Sequence, residues 1–422
     1  MFVEYLFGLV VYMRRILHCD LNNFFATVEC HENPVLFDYP TAVCGDTAER
    51  RGIILAKNEL AKKYNVKTAE PLHIAKLKCP SLVIVRPHYD KYIKYSNYVK
   101  SIYLRYTDEV EPFGIDECWL DVTGSRLLFG SAYQIAQAIR RAVKNETGLT
   151  ISVGVSYTKV LAKLANDIAG RDSTAVISPG NISAIAYPLP ADRLMGVGQR
   201  TFVKLKNHGI YTIGDIVRAG RERMSFFLGK NGVSLWQSAA GLDTSPVIRS
   251  EDMPPEKSIS CSETTPYDMY TPEQLRHHLI RMADNVCRRL RASGFLCRTI
   301  QVTVRCSDLS FLSYTRHITP TRDPVVMTGH AMKLFCESYD WSQPLRAAGI
   351  GAAALIGENE PFSFTFDDNM ENFERSENLY RSVDAIAHRY GRHAISRASL
   401  LTRDAPDSTK AHGFAASRSL ML

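Results

Sequence analysis

The first 177 residues alternate between short apolar runs and stretches with helical spacing. The run "RILHC" (residues 15–19) is typical of a buried strand, and the following "LNNFFATVEC" places Phe24, Phe25 and Val28 at helical intervals. Similar strand and helix patterns recur up to the strand "LTISVGVSY". This alternation predicts an α/β arrangement in which helices pack on a sheet.

After residue 177 the pattern changes twice. Short helices punctuated by glycine fill residues 178–245, and the stretch 246–256 has the proline and charge content of a linker. Long helical stretches and alternating strands return over 257–356, which predicts an α+β domain, and 357–422 forms a tail with one amphipathic stretch. Several domains are also what a length of 422 residues favours.

Composition places the chain among ordinary globular proteins. It is 45% hydrophobic and 23% charged, and its ten cysteines lack both the C-x-x-C pairs of zinc sites and the dense spacing of disulfide scaffolds. A reducing, cytoplasmic setting is therefore expected.

The apolar start "MFVEYLFGLVVYM" carries Glu4 and is shorter than the roughly 20 residues of a membrane-spanning helix, and Met13 is an alternative start. The net charge of +7 only weakly favours a polyanionic partner.

Two adjacent carboxylates, Asp116 and Glu117, lie between a glycine and an apolar run in "GIDECWLDVTG". Their mutual repulsion is unfavourable unless a positive charge lies between them. Asp20 follows the strand "RILHC", so all three side chains could converge at one edge of the same sheet. Converging carboxylates bind hard divalent cations, and an all-oxygen set favours Mg²⁺, of which two ions would serve an in-line phosphoryl transfer.

Each of these carboxylates taken alone has a simpler interpretation. An Asp-Glu pair in a loop is usually solvated surface, and an aspartate after a strand commonly caps the next helix. Only the combination of the three favours a catalytic metal site.

Five motifs resemble, in order and spacing, those of the Y-family lesion-bypass DNA polymerases, and most of all the bacterial DNA polymerase IV group. They are "HCDLNNFFATVE", "RGIILAKNELAKKYNV", "GIDECWLDVTG", "SVGVSYTKVLAKLANDIA" and "GVGQRTFVKLKNHGIYTIGDI". The resemblance runs from residue 14 to residue 356. It implies template-directed DNA synthesis of the translesion type, with low fidelity, a role in DNA damage tolerance and repair, and no proofreading domain.

The resemblance also implies an α+β multidomain fold. A palm with a mixed or antiparallel sheet and helices would carry catalysis, beside small fingers, a helical helix-hairpin-helix thumb and an α+β little finger that binds DNA. The expected bounds are 1–29 and 78–177 for the palm, 30–77 for the fingers, 178–245 for the thumb, 246–256 for a linker, 257–356 for the little finger and 357–422 for a C-terminal tail.

The resemblance assigns roles to residues of the palm. Asp20, Asp116 and Glu117 would be the catalytic metal ligands, and Leu21 would offer its backbone carbonyl to a metal. Phe25 would be the steric gate, a ring that leaves no room for the 2′-hydroxyl of a ribonucleotide. Without the resemblance, a phenylalanine at helical spacing is usually a core residue.

Residues expected to hold the triphosphate depart in part from the family pattern. The family usually has a tyrosine and an arginine in the fingers, where this chain has Glu59 and Lys62. Lys62 supplies a point charge without the bidentate fork of arginine, and nearby Lys57 is an alternative phosphate contact. Lys159 would also reach the triphosphate by resemblance, whereas a lone lysine before a helix is more often solvated.

The predicted thumb contains a candidate contact with primer-template DNA. In "GVGQRTFVKLKNHGI", Gly196 and Gly198 would let backbone N–H groups approach a phosphate at a helix start, and Arg200, Lys204 and Lys206 would add positive charge. A plain turn between two helices is the alternative interpretation.

A second candidate contact with DNA lies in the little finger. The stretch "RRLRASGFLCR" groups Arg288, Arg289 and Arg291 with Arg298. Such a group suits contacts with the DNA backbone that weaken as salt rises. A solvated helix face is the alternative interpretation.

Partners and rival functions complete the expectations. The substrates would be primer-template DNA and deoxynucleoside triphosphates, the protein would be a monomer, and no membrane is involved. The segment "EPFSFTFDD" either binds the sliding clamp through Phe362 to Phe366 or closes the fold as a strand. Two other functions stay open, a palm-type nucleotide cyclase and a catalytically weak or silent DNA-binding or regulatory protein, the latter because of Glu59 and Lys62.

Overall fold

The computed structural model describes the backbone of residues 5–6 and 9–10, and residues 13–46, 50, 52–363, 370–391 and 394–400 in full. These residues divide into two compact units. The first contains the described residues up to Cys44 together with Ile54–Met253, and the second contains Gly45–Ile53 together with the described residues from Pro254 onward. The division at Met253 falls inside the stretch that the sequence predicts as a linker.

Strands and helices alternate through the first part of the chain, as the apolar pattern predicts. In chain order the elements are β1 (Tyr5–Leu6), β2 (Leu9–Val10), β3 (Ile16–Leu21), α1 (Phe24–Glu32), β4 (Thr41–Cys44), β5 (Ile54–Lys57), α2 (Glu59–Lys63), α3 (Leu72–Lys78), β6 (Val83–Val85), α4 (Tyr89–Tyr103), β7 (Val110–Pro112), β8 (Glu117–Asp121), α5 (Arg126–Phe129), α6 (Ala132–Thr147), β9 (Ile151–Ser156), α7 (Lys159–Ile168) and β10 (Thr174–Val176). Side-chain caps fix where several helices begin. The Ser131 hydroxyl accepts from Gln134 N at α6, and the Thr158 hydroxyl accepts from Leu161 N at α7.

The second part of the chain is helical at first and then mixes helices with long strands. Its elements are α8 (Ile182–Ile185), α9 (Gln199–Asn207), α10 (Ile213–Leu228), α11 (Lys230–Ala239), β11 (Ser258–Met269), α12 (Pro272–Ala292), β12 (Phe295–Cys306), β13 (Phe311–Thr321), α13 (Pro324–Ser338), β14 (Leu345–Gly357) and α14 (Met370–Tyr390). Within the described ranges, none of the helices combines the length and the apolar composition of a bilayer-crossing segment.

Five strands form the central sheet of the first unit, in the order β10-β9-β3-β8-β7. The central strand β3 runs antiparallel to both of its neighbours, β8 and β9, whereas β9 and β10 are parallel. The sheet is therefore mixed, as expected for the palm. Every residue of β3 except Asp20 is buried.

Helices cover both faces of this sheet. Leu17 belongs to the core shared with α1, α4 and α6, and Ile16 packs with Ala162 of α7 on the opposite face. Because successive side chains of a strand point to opposite faces, His18 and Asp20 lie on the same face as Ile16. The alternation along β3 thus directs Asp20 toward the face that α7 covers.

The segment predicted as fingers supplies β4 and β5 of a small sheet in the order β5-β4-β6, whereas β6 lies in the segment predicted as palm. The expected strand followed by a basic helix is present as β5 and α2. The α2 helix begins after Asn58, whose side chain accepts a hydrogen bond from Ala61 N at 2.9 Å. This cap places Glu59 in the first turn of α2.

The second unit is built on a four-stranded antiparallel sheet in the order β11-β14-β12-β13. Ile300 and Val302 of β12 point to the core that α12 and α13 share with the sheet. The alternate residues Gln301 and Thr303 point to the other face, which carries partly exposed polar side chains. One face of the sheet is therefore packed and the other is polar.

Candidate active site

Strand pairing brings Asp20 beside Glu117. The two residues are Cα partners in the antiparallel pair of β3 and β8, and Leu21 donates its backbone N–H to Asp116 O at 3.1 Å. Asp116 lies in the turn between β7 and β8, where Gly114 has a φ of 90°, a left-handed value that favours glycine. Asp20 therefore meets the adjacent pair Asp116 and Glu117, from a distant part of the chain, at one edge of the sheet.

Burial and mutual repulsion raise the pKa of two of these carboxyl groups. Burial, followed by the charges of Asp116 and Glu117, raises the pKa of Asp20 to about 8. Burial and then the charge of Glu117 raise the pKa of Asp116 to about 6. Burial also raises the pKa of nearby Asp167 on α7. Ionisation of all three carboxyl groups is thus unfavourable on its own, and a bound cation would stabilise the ionised cluster.

Glu117 differs from the other two carboxylates because it already has partners. Its Oε2 accepts a hydrogen bond from Lys163 Nζ at 2.8 Å, and His18 Nε2 lies 3.4 Å from the same oxygen. Burial alone would raise the pKa of Glu117, but the contact with His18 and the hydrogen bond from Lys163 outweigh it, and the pKa lies below its usual range. Glu117 is therefore the stable anion of the cluster.

These side chains do not form a preassembled metal site as they stand. Among the described residues, no group of three or more His, Cys, Asp or Glu side chains has the arrangement of a metal site. The ion pair with Lys163 offers a physical reason, since it engages Glu117 Oε2. A cation bound through Glu117 Oε2 would compete with Lys163 for this oxygen.

The two phenylalanines that begin α1 lie in different environments. Phe24 is 3% exposed and belongs to the core, as a phenylalanine at helical spacing usually does. Phe25 is only partly buried, and its ring stacks on Tyr92 with the centroids 4.1 Å apart and the planes within 9°. Part of the Phe25 ring therefore stays open to a ligand while one side rests on protein.

Tyr92 supports Phe25 in a way that the sequence did not indicate. It is fully buried, and its hydroxyl donates to the Glu29 carboxylate, which also lies 2.9 Å from His88 Nδ1. Phe25 and Glu29 are four residues apart on α1, so Tyr92 contacts two successive turns of the helix. The tyrosine-rich stretch "YDKYIKYSNYV" was visible in the sequence, but spacing does not reveal which tyrosine faces α1.

Glu59 lies near the carboxylate edge and contacts two basic side chains, Lys62 and Arg171. Its Oε1 accepts hydrogen bonds from Asn23 Nδ2 at 2.6 Å and from Lys62 Nζ at 3.0 Å, and Arg171 Nη1 lies 3.9 Å away. Asn23 follows β3 and precedes α1, so Glu59 links the α2 helix to the strand that carries Asp20. Arg171 was not identified from the sequence, because a loop arginine has no local signal.

Comparison with known proteins identifies the family. The model of the impB/mucB/samB family matches residues 19–167, and the model of that family's C-terminal domain matches residues 256–364. The DNA polymerase IV of Acetivibrio thermocellus is 41% identical over 393 residues, which cover 92% of this chain and 98% of that protein. A solved Y-family DNA polymerase chimera matches 81% of this chain and 99% of its own, with a TM-score of 0.72 and 24% identity. The chain belongs to the Y-family DNA polymerases.

Further relatives agree with this membership. The DNA polymerase IV of Pelotomaculum thermopropionicum is 33% identical and covers 92% of this chain and 95% of its own. The predicted family and the α+β multidomain fold are therefore confirmed. The protein is a DNA-directed DNA polymerase of the translesion type, and neither the cyclase nor the silent DNA-binding protein is favoured.

Lys159 of the polymerase, which the resemblance assigns to the triphosphate, lies in an ion pair with Glu111. Its Nζ lies 2.6 Å from each carboxylate oxygen of Glu111, donates to Pro246 O at 3.3 Å and lies 4.5 Å from the Trp119 ring centroid. Because this ion pair is buried, Lys159 joins α7 to β7. Lys163, one turn further along α7, is the lysine beside the carboxylates.

Replacing Lys159 with methionine is expected to destabilise the polymerase rather than weaken nucleotide binding. The change leaves Glu111 buried without its partner, which should lower Tm by roughly 5–15 °C. Thermal melts and the KM for dATP in primer extension check this prediction, with Lys62→Met as the matched variant. If Lys159→Met instead left Tm unchanged and raised the KM for dATP, the result would support a contact between this lysine and the triphosphate.

Gly196 and Gly198 of the polymerase lie at the start of α9, as the motif predicted. Gly196 has a φ of 93°, and Gly198 directly precedes the helix with open space around its Cα. Arg200, Lys204 and Lys206 are exposed on α9. Their contact with DNA stays a prediction, for which the exposed helix start is a suitable place.

The arginines of α12 that are expected to contact DNA have protein partners, and their contact with DNA stays a prediction. Arg291 donates through Nε and Nη2 to the Asp384 carboxylate of α14 at 2.6 and 3.0 Å, and its side chain is 10% exposed. Arg289 Nη1 donates to Ser260 O at 2.9 Å. Arg288 lines a cavity of about 570 Å³ between α12 and α14. Arg291 is thus occupied in holding α14 to the little finger.

Proposed function

We propose that Asp20, Asp116 and Glu117 are the carboxylates with which this translesion polymerase adds deoxynucleotides to a primer 3′-hydroxyl, with two Mg²⁺ ions. The observation that supports this most strongly is the register of β3 and β8, which pairs Asp20 with Glu117. Leu21, directly after Asp20, contributes its backbone carbonyl to the same set of oxygens. The register keeps Asp20 and Glu117 side by side, so that only their side chains have to rearrange around a cation.

The donor set fits a hard divalent cation. All of the donors are oxygens, and burial with mutual repulsion raises the pKa of Asp20 and Asp116, so a doubly charged partner would stabilise the ionised cluster. When bound, Mg²⁺ supplies a Lewis acid that favours ionisation of the primer hydroxyl and offsets charge on the transferred phosphoryl group. The protein itself supplies the anionic groups, their burial and their spacing.

Primer extension on a primed template tests this function. We expect Mg²⁺ and the four deoxynucleoside triphosphates to support extension to the template end, and EDTA to abolish it. A palm-type cyclase would instead form a cyclic nucleotide without a primer, and a silent DNA-binding protein would bind the template without extending it. Either of those results would contradict the proposal.

Phe25 is proposed to select the sugar of the incoming nucleotide. Its ring is partly exposed. It stacks on Tyr92 and meets the edge of Tyr89 at a centroid distance of 5.8 Å, and these contacts restrict its movement. A ring fixed in this way beneath a deoxyribose would clash with a 2′-hydroxyl. The support from Tyr92 is what makes the gate rigid.

Lys62 and Arg171 are proposed to bind the triphosphate. Both side chains are partly exposed, at 42% and 47%, and both lie against Glu59. Glu59 cannot bind phosphate itself, but it holds the two cations near the site until a more highly charged anion replaces it. Lys57 is less suited, because its Nζ already donates to Thr68 Oγ1 at 2.8 Å.

DNA binding is proposed for the start of α9 and for the open face of the little-finger sheet. The α9 start offers backbone N–H groups together with the exposed Arg200 and Lys204. The open sheet face offers polar side chains such as Gln301, Thr303 and Ser313, which suit hydrogen bonds to a phosphate backbone. This face takes the place of Arg291 in the expected DNA surface.

Three further expectations stay predictions. Clamp binding was assigned to Phe362 to Phe366, of which Phe362 packs near Phe373 with a centroid distance of 5.9 Å, while Phe364 and Phe366 lie outside the described residues. A monomeric state follows from the family resemblance. A cytoplasmic location is consistent with ten unpaired cysteines, most of them buried.

The raised pKa values predict that the metal-free polymerase loses stability as pH rises. A carboxyl group whose pKa is raised on folding contributes its full stability below the unfolded pKa, and that stability is lost as pH rises through the folded value. For Asp20 this range extends from pH 3.8 to about 8. Asp20→Asn should therefore raise Tm in EDTA at pH 8 by roughly 3–8 °C and leave it almost unchanged at pH 4. Thermal melts at both pH values check this, and a lower Tm for the variant at pH 8 would contradict it.

A further inference from the structure

Lys163 occupies the position beside Glu117 that a bound cation would need. Its Nζ donates to Glu117 Oε2 at 2.8 Å, and its side chain is 17% exposed. The ammonium also lies 5.6 Å from the Phe113 ring centroid. Lys163 is thus held at the carboxylate edge on two sides, while part of the side chain remains accessible.

The positive charge of Lys163 acts on all three carboxylates. Against the dominant effect of burial, it opposes the rise in the pKa of Asp20 and Asp116, and with His18 it lowers that of Glu117. Lys163 Nζ lies closer to Glu117 Oε2 than His18 Nε2 does, at 2.8 Å against 3.4 Å. The stronger contact of the Glu117 carboxylate is therefore with Lys163.

We infer that Lys163 is a built-in competitor for the divalent cation, which keeps Glu117 paired and lowers the cation affinity of the polymerase when no nucleotide is bound. The inference rests on the proposed function, since it takes Asp20, Asp116 and Glu117 as the metal ligands. Lys163 is a positioning residue in this scheme, because it acts on the cation through Glu117.

The physical basis is the repulsion between two cations that share one carboxylate. An ammonium 2.8 Å from Glu117 Oε2 lies within a few ångströms of any cation bound to that group, and partial burial leaves this repulsion poorly screened. An incoming triphosphate would offer Lys163 other oxygens and would bring negative charge that favours cation binding. The site would then fill most readily when nucleotide is present, so premature loading of the cation is disfavoured.

Binding of Mn²⁺ to the full-length, nucleotide-free polymerase tests this inference, with free Mn²⁺ measured by electron paramagnetic resonance. Lys163→Met should tighten Mn²⁺ binding on the order of tenfold. Lys163→Arg, which retains the charge, should remain within about twofold of the unmodified protein. Lys91→Met is the matched control, because it removes another Lys–Glu pair, with Glu32 at 3.0 Å, away from the site. It should leave the affinity unchanged.

The outcomes separate this inference from the proposed function. Damage to the structure would weaken Mn²⁺ binding, so a gain in affinity cannot come from partial unfolding. If Asp116→Ala loses Mn²⁺ binding while Lys163→Met binds no more tightly than the unmodified protein, the inference is wrong and the metal site stands. If Asp116→Ala binds Mn²⁺ as well as the unmodified protein does, the assignment of the metal ligands itself is wrong. Should Lys163→Met not fold, Lys163→Gln gives the same comparison.

Discussion

Asp116→Ala is expected to lower kcat/KM for deoxynucleotide addition by about 1000-fold or more, because it removes one of the three carboxylates proposed to hold the metal ions. The change should not damage the fold. Asp116 lies in a turn, and burial together with the charge of Glu117 raises its pKa to about 6, so its removal relieves repulsion. Single-turnover primer extension at saturating Mg²⁺, with thermal melts in EDTA, measures both effects.

A matched aspartate separates chemistry from general charge effects. Asp90 is exposed in the first turn of α4, and Asp90→Ala makes the same chemical change away from the carboxylate edge. It should retain primer extension within about twofold, as surface substitutions usually do. If Asp116→Ala keeps the activity of Asp90→Ala, the three carboxylates are not the catalytic set.

Phe25→Ala is expected to reduce the preference for deoxynucleotides over ribonucleotides by about 100-fold, because the ring that would clash with the 2′-hydroxyl is gone. The preference is the ratio of kcat/KM for dATP to that for ATP. Most of the change should come from ATP, whose KM falls once the clash is removed. Steady-state kinetics with each nucleotide on one primed template gives the ratio.

The neighbouring ring is the control for this prediction. Phe24 is buried in the core, so Phe24→Leu should lower Tm by a few degrees while leaving the sugar preference intact. The contrast tests whether the effect of Phe25 is specific to the site. An unchanged ratio in Phe25→Ala would remove the gate assignment and leave the carboxylate assignment untouched.

The carboxylate edge could be predicted from the sequence because strand patterns are local. The apolar run before Asp20 and the run after Glu117 each indicate a buried strand, and a carboxylate at a strand end is easily placed at a sheet edge. That pattern does not show that Asp20 and Glu117 lie side by side. Their pairing depends on the antiparallel register of β3 with β8. The distinction between Phe24 and Phe25 likewise required the structure, because adjacent residues on a helix differ only in direction.

The two lysines of α7 illustrate what local pattern cannot resolve. Lys159 and Lys163 are four residues apart and lie on one side of the helix, so the sequence offers no reason to separate them. Their roles are set by acidic residues from other strands, Glu111 on β7 and Glu117 on β8. Only the assembled sheet shows that Lys159 is buried in an ion pair with Glu111 and that Lys163 lies beside the carboxylate cluster.

The roles of the little-finger arginines could not be predicted from the sequence either, for a different reason. A cluster of arginines has the same sequence pattern whether it binds DNA, faces solvent or pairs with a distant acid. Arg291 pairs with Asp384, and Arg322 pairs with Glu377. Both acids lie on α14, more than fifty residues along the chain from their arginines. The sequence indicated an amphipathic tail but could not show that its acids bind these arginines.

Location of a bound divalent ion tests the central claim most directly. Crystals of the polymerase soaked in Mn²⁺ would be measured by anomalous diffraction, which places the ion without reference to any model of its ligands. The account predicts an anomalous peak within bonding distance, roughly 2.0–2.4 Å, of carboxylate oxygens from Asp20 and Asp116, with Glu117 turned to join them. A fully occupied peak elsewhere, with the three carboxylates unliganded, would contradict it.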